Sequence, residues 1–213
     1  STGRLLNPQA CSVKHTDFDH CLRAIRNEGV NFANFSGNNI AVGNTATITD
    51  ITDFNKALLD EGIILRQCTG FTVEGNAISP AIDGGTPAVE LTIGIRADGT
   101  GGNYNAIRNN SFNELAYANL ANRQNRNIFK APFAGLEYLC NQQADNGFDI
   151  CVTAPIWNDP NNGATGVQQN QGNLNKATGN TFTDIPEQDG SFFNQSTNSN
   201  NYFWYLTGTD EQP

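Results

Sequence analysis

The sequence predicts an all-β solenoid, a parallel β-helix of about six coils. Three features carry this reading: a motif that returns every 34 to 38 residues, a Gly, Asn or Asp at one corner of each copy, and a short strand signature upstream of that corner. A coil of about 22 residues has room for three short strands and their corners, and each coil pairs with the next.

The copies align as NFSGNNI, TVEGNAI, AIRNNSF, QADNGF and KATGNTF, placing Asn38, Asn76, Asn110, Asn146 and Asn180 in one column at spacings of 38, 34, 36 and 34. The residue before each is Gly37, Gly75, Asn109, Asp145 or Gly179. These types tolerate a positive φ, so the column reads as a forced corner between strands. Two residues after each Asn stands Ile40, Ile78, Phe112, Phe148 or Phe182, and before the corner stands Phe35, Val73, Ile107 or Ala177. These apolar positions point inward on either side of the bend. Stacking at ~4.8 Å makes a body roughly 25 to 30 Å long, in which the repeated Asn side chains hydrogen-bond as a ladder.

Upstream of the corner lies a second matching pair: Ala24-Ile25, Gly62-Ile63, Gly94-Ile95, Gly135-Leu136 and Gly166-Val167. A weaker first copy ends at Phe18 in SVKHTDF and makes the first interval 22 residues. Length beyond that becomes excursions after the corner strand, in AVGNTATITDITDFNKALLDE, ELAYANLANRQNRNIFKAP and APIWNDPNNGATG. The segment Asp53 to Glu61 has the composition for a short helix. Residues 1–183 are thus coils with insertions, and residues 184–213 an aromatic cap on the open end of the same domain. The N-terminal end shows no comparable cap, so further coils, or end-to-end self-association, are expected there.

Twelve Lys and Arg against 21 Asp and Glu give a net charge of −9, which leaves no broad basic surface for a phosphate backbone. Nucleic acid is not an expected partner. No window approaches 18 apolar residues, so no membrane insertion is expected. The opening STGRLLNPQA, in a chain without Met, reads as a processed piece whose natural start is missing. Cys11, Cys21, Cys68, Cys140 and Cys151 form no CxxC pair or Cys/His zinc grouping. Cys11 with Cys21, and Cys140 with Cys151, are close enough in sequence to bridge adjacent strands, and small buried thiols are the equal alternative.

The elements GFTVEGNAI, AGLEYLCNQQADNGFDICV, KATGNTF and SFFNQSTNSNNYFWYL resemble the right-handed parallel β-helix domains of large secreted and cell-surface proteins of Bacteroidetes-type bacteria, many exported by type IX secretion. The resemblance implies an extracellular or cell-surface location, with polysaccharide or neighbouring surface proteins as partners.

Catalytic signatures are sparse. Glycoside hydrolysis needs two carboxylates across the scissile bond, and a lyase needs a base with a cation. Asp17 with Asp19 and Asp50 with Asp53 supply such pairs, but carboxylates of this kind belong more often to solvated turns. The His-centred and Arg-x-Lys signatures of pectin hydrolases are absent. DPNNG places Asp159 and Asn161 like the start of a calcium loop without its distal Glu, and a plain Pro-Asn-Gly turn fits better. The glycines at 84–85 and 99–102 read as turns rather than a phosphate loop. No cofactor is expected. Phe192, Phe193, Tyr202, Phe203, Trp204 and Tyr205 suit end-sealing better than a sugar platform. The expected function is a structural or adhesive extracellular module, non-catalytic and part of a larger surface protein. A polysaccharide lyase or glycoside hydrolase, or a carbohydrate-binding module, is the alternative.

Overall fold

The computed structural model describes residues 11–43, 60–83, 86–87, 92–126, 135–153, 166–172, 177–182, 192–194 and 202–203. Among them the chain is all-β, without a helix, and visits three parallel sheets in rotation. The first circuit is β1 (Ser12–Lys14), β2 (Asp17–Cys21) and β3 (Arg23–Glu28). The second is β4 (Asn34–Ser36), β5 (Asn39–Val42) and β6 (Asp60–Arg66). The third is β7 (Thr72–Glu74) and β8 (Ala77–Pro80), a small antiparallel excursion of β9 (Ile82–Asp83) with β10 (Thr86–Pro87), then β11 (Thr92–Asp98). The fourth is β12 (Asn105–Arg108), β13 (Ser111–Asn113) and β14 (Tyr117–Asn122); the fifth is β15 (Leu136–Leu139), β16 (Gln142–Ala144) and β17 (Phe148–Thr153). Beyond these, β18 (Asn170–Gln171) pairs with β20 (Tyr202–Phe203), and β19 (Phe192–Asn194) adds to β17.

Sheet A runs β1-β4-β7-β12-β15, sheet B β2-β5-β8-β13-β16 and sheet C β3-β6-β11-β14-β17-β19. Three parallel sheets of five or six strands, threaded in this order, are consistent with a parallel β-helix. Register aligns like positions: Val13, Phe35, Val73, Ile107 and Tyr138 stack along sheet A, and Phe18, Ile40, Ile78 and Phe112 along sheet B. Together with Ile63, Leu65, Ile95, Ile150 and Val152 of sheet C they form one continuous core.

The turn from sheet A to sheet B is a column of left-handed residues: His15, Gly37, Gly75, Asn109, Cys140 and Gly179, with φ of 50°, 64°, 65°, 55°, 53° and 64°. Just after it runs the Asn column, whose members are Asn38, Asn76, Asn110, Asn141 and Asn180. Each Nδ2 donates to the next Oδ1, at 2.8, 2.8, 3.1 and 3.1 Å in order. Each Oδ1 from Asn76 onward also accepts the backbone N–H of the preceding Asn, and each Nδ2 donates once more to a backbone carbonyl of the circuit before, as Asn76 does to Phe35 at 3.1 Å. The two donors of each inner side-chain amide and both lone-pair directions of its oxygen are thereby engaged.

Several sequence expectations change. Asn146 is not in the column: it follows Asp145 (φ 53°) at the corner from sheet B to sheet C, where its Oδ1 accepts the Leu115 N–H at 3.0 Å. Phe148, expected inside after that corner, belongs to β17, and the register places Gln143 beside Phe112. Gly135-Leu136 opens β15 of sheet A instead of matching Gly94-Ile95; the sheet C register runs Ile25, Ile63, Ile95, Asn119, Ile150. The part Tyr117–Asn122 of ELAYANLANRQNRNIFKAP is not an excursion but strand β14. Asp60 and Glu61, expected at the end of a helix, begin strand β6 because Glu61 pairs with Arg23 and Ile93. The rest of that segment, with Asp50, Asp53, Trp157, Asp159 and Asn161, lies outside the described residues.

Gly62 and Gly94 have a packing reason. A Cβ on Gly94 would lie 2.6 Å from the Ala118 carbonyl oxygen and 2.9 Å from the Phe112 ring, and one on Gly62 would lie 2.6 Å from the Gly94 carbonyl. Only a hydrogen fits where the strand leaves the corner.

Candidate binding face

Along each sheet C strand, side chains spaced three and then two residues apart form three columns on the outward face. One holds Arg23, Glu61, Ile93, Tyr117 and Phe148; the next Arg26, Ile64, Arg96, Leu120, Cys151 and Phe193; the third Glu28, Arg66, Asp98, Asn122 and Thr153. The face therefore changes character along the stack. Its first three circuits are charged, and its later ones apolar.

The charged part is one connected network. Glu61 lies 3.3 Å from Arg23 and 2.9 Å from Arg96, which reaches Asp98 at 3.2 Å. Asp98 also meets Arg123 at 3.2 Å and Arg66 at 4.0 Å, and Arg66 continues to Glu28 and Arg26. Glu61 and Asp98 are 2% and 3% exposed, whereas the Arg23, Arg26 and Arg66 side chains are 37%, 50% and 38% exposed. Buried carboxylates thus anchor arginines whose guanidinium groups reach solvent. Five arginines against three carboxylates leave a local excess of two positive charges, on a chain whose net charge is −9. The arrangement can hold an anionic group on the arginine tips.

The apolar part is a second hydrophobic cluster of Ile93, Leu120 and Cys151, with Tyr117, Phe148 and Phe193 against it. Tyr117 and Phe148 stack with centroids 5.2 Å apart, and Phe193 tilts onto Phe148 at 5.5 Å. Burial pushes the Cys151 thiol up to about 12, so it stays protonated near neutral pH and is a poor nucleophile.

Asp17 and Asp19, paired in the sequence as carboxylates, both stand on the solvent side of β2. Asp17 accepts from Asn39 Nδ2 at 2.7 Å, and Asp19 pairs with His20 at 2.7 Å. Of the four cysteines considered for bridges, Cys11 and Cys140 are exposed, Cys21 is half-buried and Cys151 is buried; all are free. Cys140 occupies the left-handed corner column, its sulfur over Gly179, while Cys151 is packed with Leu120 and Ile93. The fifth cysteine, Cys68, is buried, and its thiol donates to the Asn27 carbonyl at 3.3 Å. Phe192 and Phe193 of the expected cap extend sheet C, and nothing among the described residues groups three metal-ligating side chains.

Sequence reasoning missed the arginine network, because its members are 2 to 100 residues apart and nothing local marks them as neighbours. Only the register makes Arg23, Glu61 and Arg96 a unit. No family model, curated protein or solved structure matches the chain.

Proposed function

We propose that the chain is a right-handed parallel β-helix acting as a structural or adhesive extracellular module of a larger surface protein, with the outward face of sheet C as its adhesive surface. The observation that carries the structural part is the unbroken Asn ladder. Five side-chain amides bond from circuit to circuit in one buried column, an arrangement suited to a stiff spacer. The arginine network supports the adhesive part, since it concentrates positive charge on an otherwise acidic chain.

A second reading is favoured by one feature, the aromatic cluster of Tyr117, Phe148 and Phe193 on the same face as those arginines. Flat rings sharing a face with cationic tips suit an acidic polysaccharide, rings against sugar faces and guanidinium groups against carboxylates. Affinity electrophoresis on a panel of acidic and neutral polysaccharides, with product analysis on the same mixtures, tests whether this face binds such a polymer and whether the chain cleaves it. Retardation on acidic polymers alone, weakened by Arg26→Ala with Arg66→Ala and abolished by salt, supports adhesion through this face. Chain cleavage of any polymer would make the protein an enzyme and overturn the proposal.

A further inference from the structure

We infer that Glu28 is a displaceable carboxylate, holding the place of a ligand's carboxylate between Arg26 and Arg66, and that the partner of this face is a polymer bearing carboxylate groups. The inference rests on the adhesive reading of sheet C, and adds to it what that surface takes and which residue restrains it.

The three carboxylates of the network differ in burial, and burial divides their roles. Glu61 and Asp98 are 2% and 3% exposed and meet Arg23, Arg96 and Arg123 at 2.9 to 3.3 Å. Loss of a buried carboxylate leaves its guanidinium partners without a counter-charge, so these two anchor the arginines. Glu28 is 47% exposed, and both arginines beside it, Arg26 and Arg66, reach solvent as well. Pairs as open as these contribute little and exchange readily with water or with another anion. Glu28 therefore fills its position without holding it tightly.

Arg66 carries the open donors. The register places it between Glu28 and Asp98, one circuit from each. Its guanidinium lies 3.9 Å from Glu28 and 4.0 Å from Asp98, beyond hydrogen-bond reach of both, and its buried Nε has no hydrogen-bond partner. The other four arginines of the network each meet a carboxylate at 2.9 to 3.3 Å. A guanidinium presents five N–H donors in a planar fork that matches a carboxylate. Glu28 is tethered to β3 and accepts from Arg26 at 3.1 Å, which keeps its oxygens short of Arg66. A carboxylate arriving from solvent has no such tether. It can lie between Arg26 and Arg66 and pair with both, while Glu28, already half hydrated, turns to water. Arg23, three residues before Arg26 on β3 and so roughly 10 Å along the strand, is 37% exposed and offers a second contact. A chain with carboxylates along its length reaches both places at once, which a single carboxylate does not.

Affinity electrophoresis of the 213-residue chain in polygalacturonate, with neutral dextran as the control, tests this. Glu28→Gln keeps the shape of the side chain and removes its charge, and should tighten binding roughly fivefold. Glu74→Gln removes the same charge from a half-buried glutamate that pairs with Arg108 at 2.9 Å on sheet A, and should leave affinity as it was. Arg66→Lys keeps the charge and drops the fork, and should weaken binding roughly fivefold. In the parent chain the Arg66 Nε–Hε NMR signal should shift as galacturonate oligomers are added. Glu28→Gln binding no tighter than the parent overturns the inference. So do equal gains from Glu28→Gln and Glu74→Gln, which would make net charge the only cause, and so does full affinity in Arg66→Lys. When the Arg26→Ala, Arg66→Ala double variant is weakened, these results strike the inference alone. The adhesive reading itself fails when that double variant is retarded as strongly as the parent, or when no variant is retarded at all, and either outcome overturns both.

Discussion

The corner between sheets A and B and the outward face of sheet C run along the same stack, yet they tolerate change very differently. At the corner the left-handed position is filled by His, Gly, Asn or Cys, while the residue after it is Asn in every circuit from the second to the last. On the face, one column passes from Arg23 and Glu61 to Ile93, Tyr117 and Phe148. The difference is one of valence. A ladder Asn bonds both its neighbours, so any other side chain leaves buried partners unsatisfied above and below it. A face residue needs only a compatible neighbour, and Ile93 is as compatible with Tyr117 as Arg96 is with Asp98. Constancy therefore marks what holds the stack, and variation marks what it presents.

Removal of one rung has the largest expected effect. Asn110→Ala deletes four bonds, two accepted from Asn76 and one each donated to Val73 and Asn141, and leaves their partners buried. The expected loss is roughly 4 kcal/mol. Asn146→Ala at the other corner deletes only the bonds to Leu115 and Asp149 and should cost about half as much, roughly 2 kcal/mol. Urea midpoints at unchanged slope provide the measurement, and equal losses at the two sites would mean that the column has no special standing.

That pair of asparagines also explains what the sequence disclosed and what it concealed. Gly37, Gly75, Asn109 and Gly179 declare the corner, because few other residue types accept φ near 60° without strain, and the apolar residues around them fix which side faces in. The fifth circuit carries no such declaration. Cys140 takes the left-handed position, and Gln143 stands where the others have Ile or Phe. Five residues on, Asp145-Asn146-Gly147-Phe148 imitates the motif because the next corner makes a related demand: a left-handed residue, then an amide oxygen for the backbone of the adjoining circuit. Local pattern cannot separate two corners that use the same device. The face was less legible still, since alternation says that Arg96 points outward but not that Glu61 and Asp98 flank it. That follows only from how far each excursion shifts the next strand.

On the face, charge takes the place that the amide bonds hold at the corner. Asp98→Asn removes the carboxylate that holds Arg96, Arg66 and Arg123 together. Its burial argues for a larger cost than a surface pair, and the partial exposure of its partners argues for less than a sealed one, so about 2 kcal/mol at low ionic strength is expected. Salt distinguishes the two regions. The Asp98→Asn loss should shrink in part as salt approaches 1 M, through its more exposed partners Arg66 and Arg123, whereas the Asn110→Ala loss should not move. A salt-sensitive rung, or a salt-blind face, would mean that corner and face are held by the same kind of interaction.

The smallest effects isolate the corner conformation from the ladder beside it. At Gly75 a Cβ would find nothing nearer than the Gly37 nitrogen at 3.9 Å, so Gly75→Ala tests the cost of φ 65° almost free of steric contact. A loss of about 1 kcal/mol is expected, the cost of an ordinary side chain in the left-handed region. Cys140→Gly runs the same test backward. Relief of φ 53° is partly offset by the greater freedom of glycine in the unfolded chain, and a net gain of about 0.5 kcal/mol should remain. Opposite signs at two positions of one column would show that the corner sets a backbone requirement and not a residue identity. That explains why a cysteine can occupy it while the asparagine that follows does not change. Should both substitutions destabilise, Cys140 must contribute packing over Gly179 that exceeds its strain, and thermal midpoints of the double variant with Gly179→Ala would reveal that coupling as non-additivity.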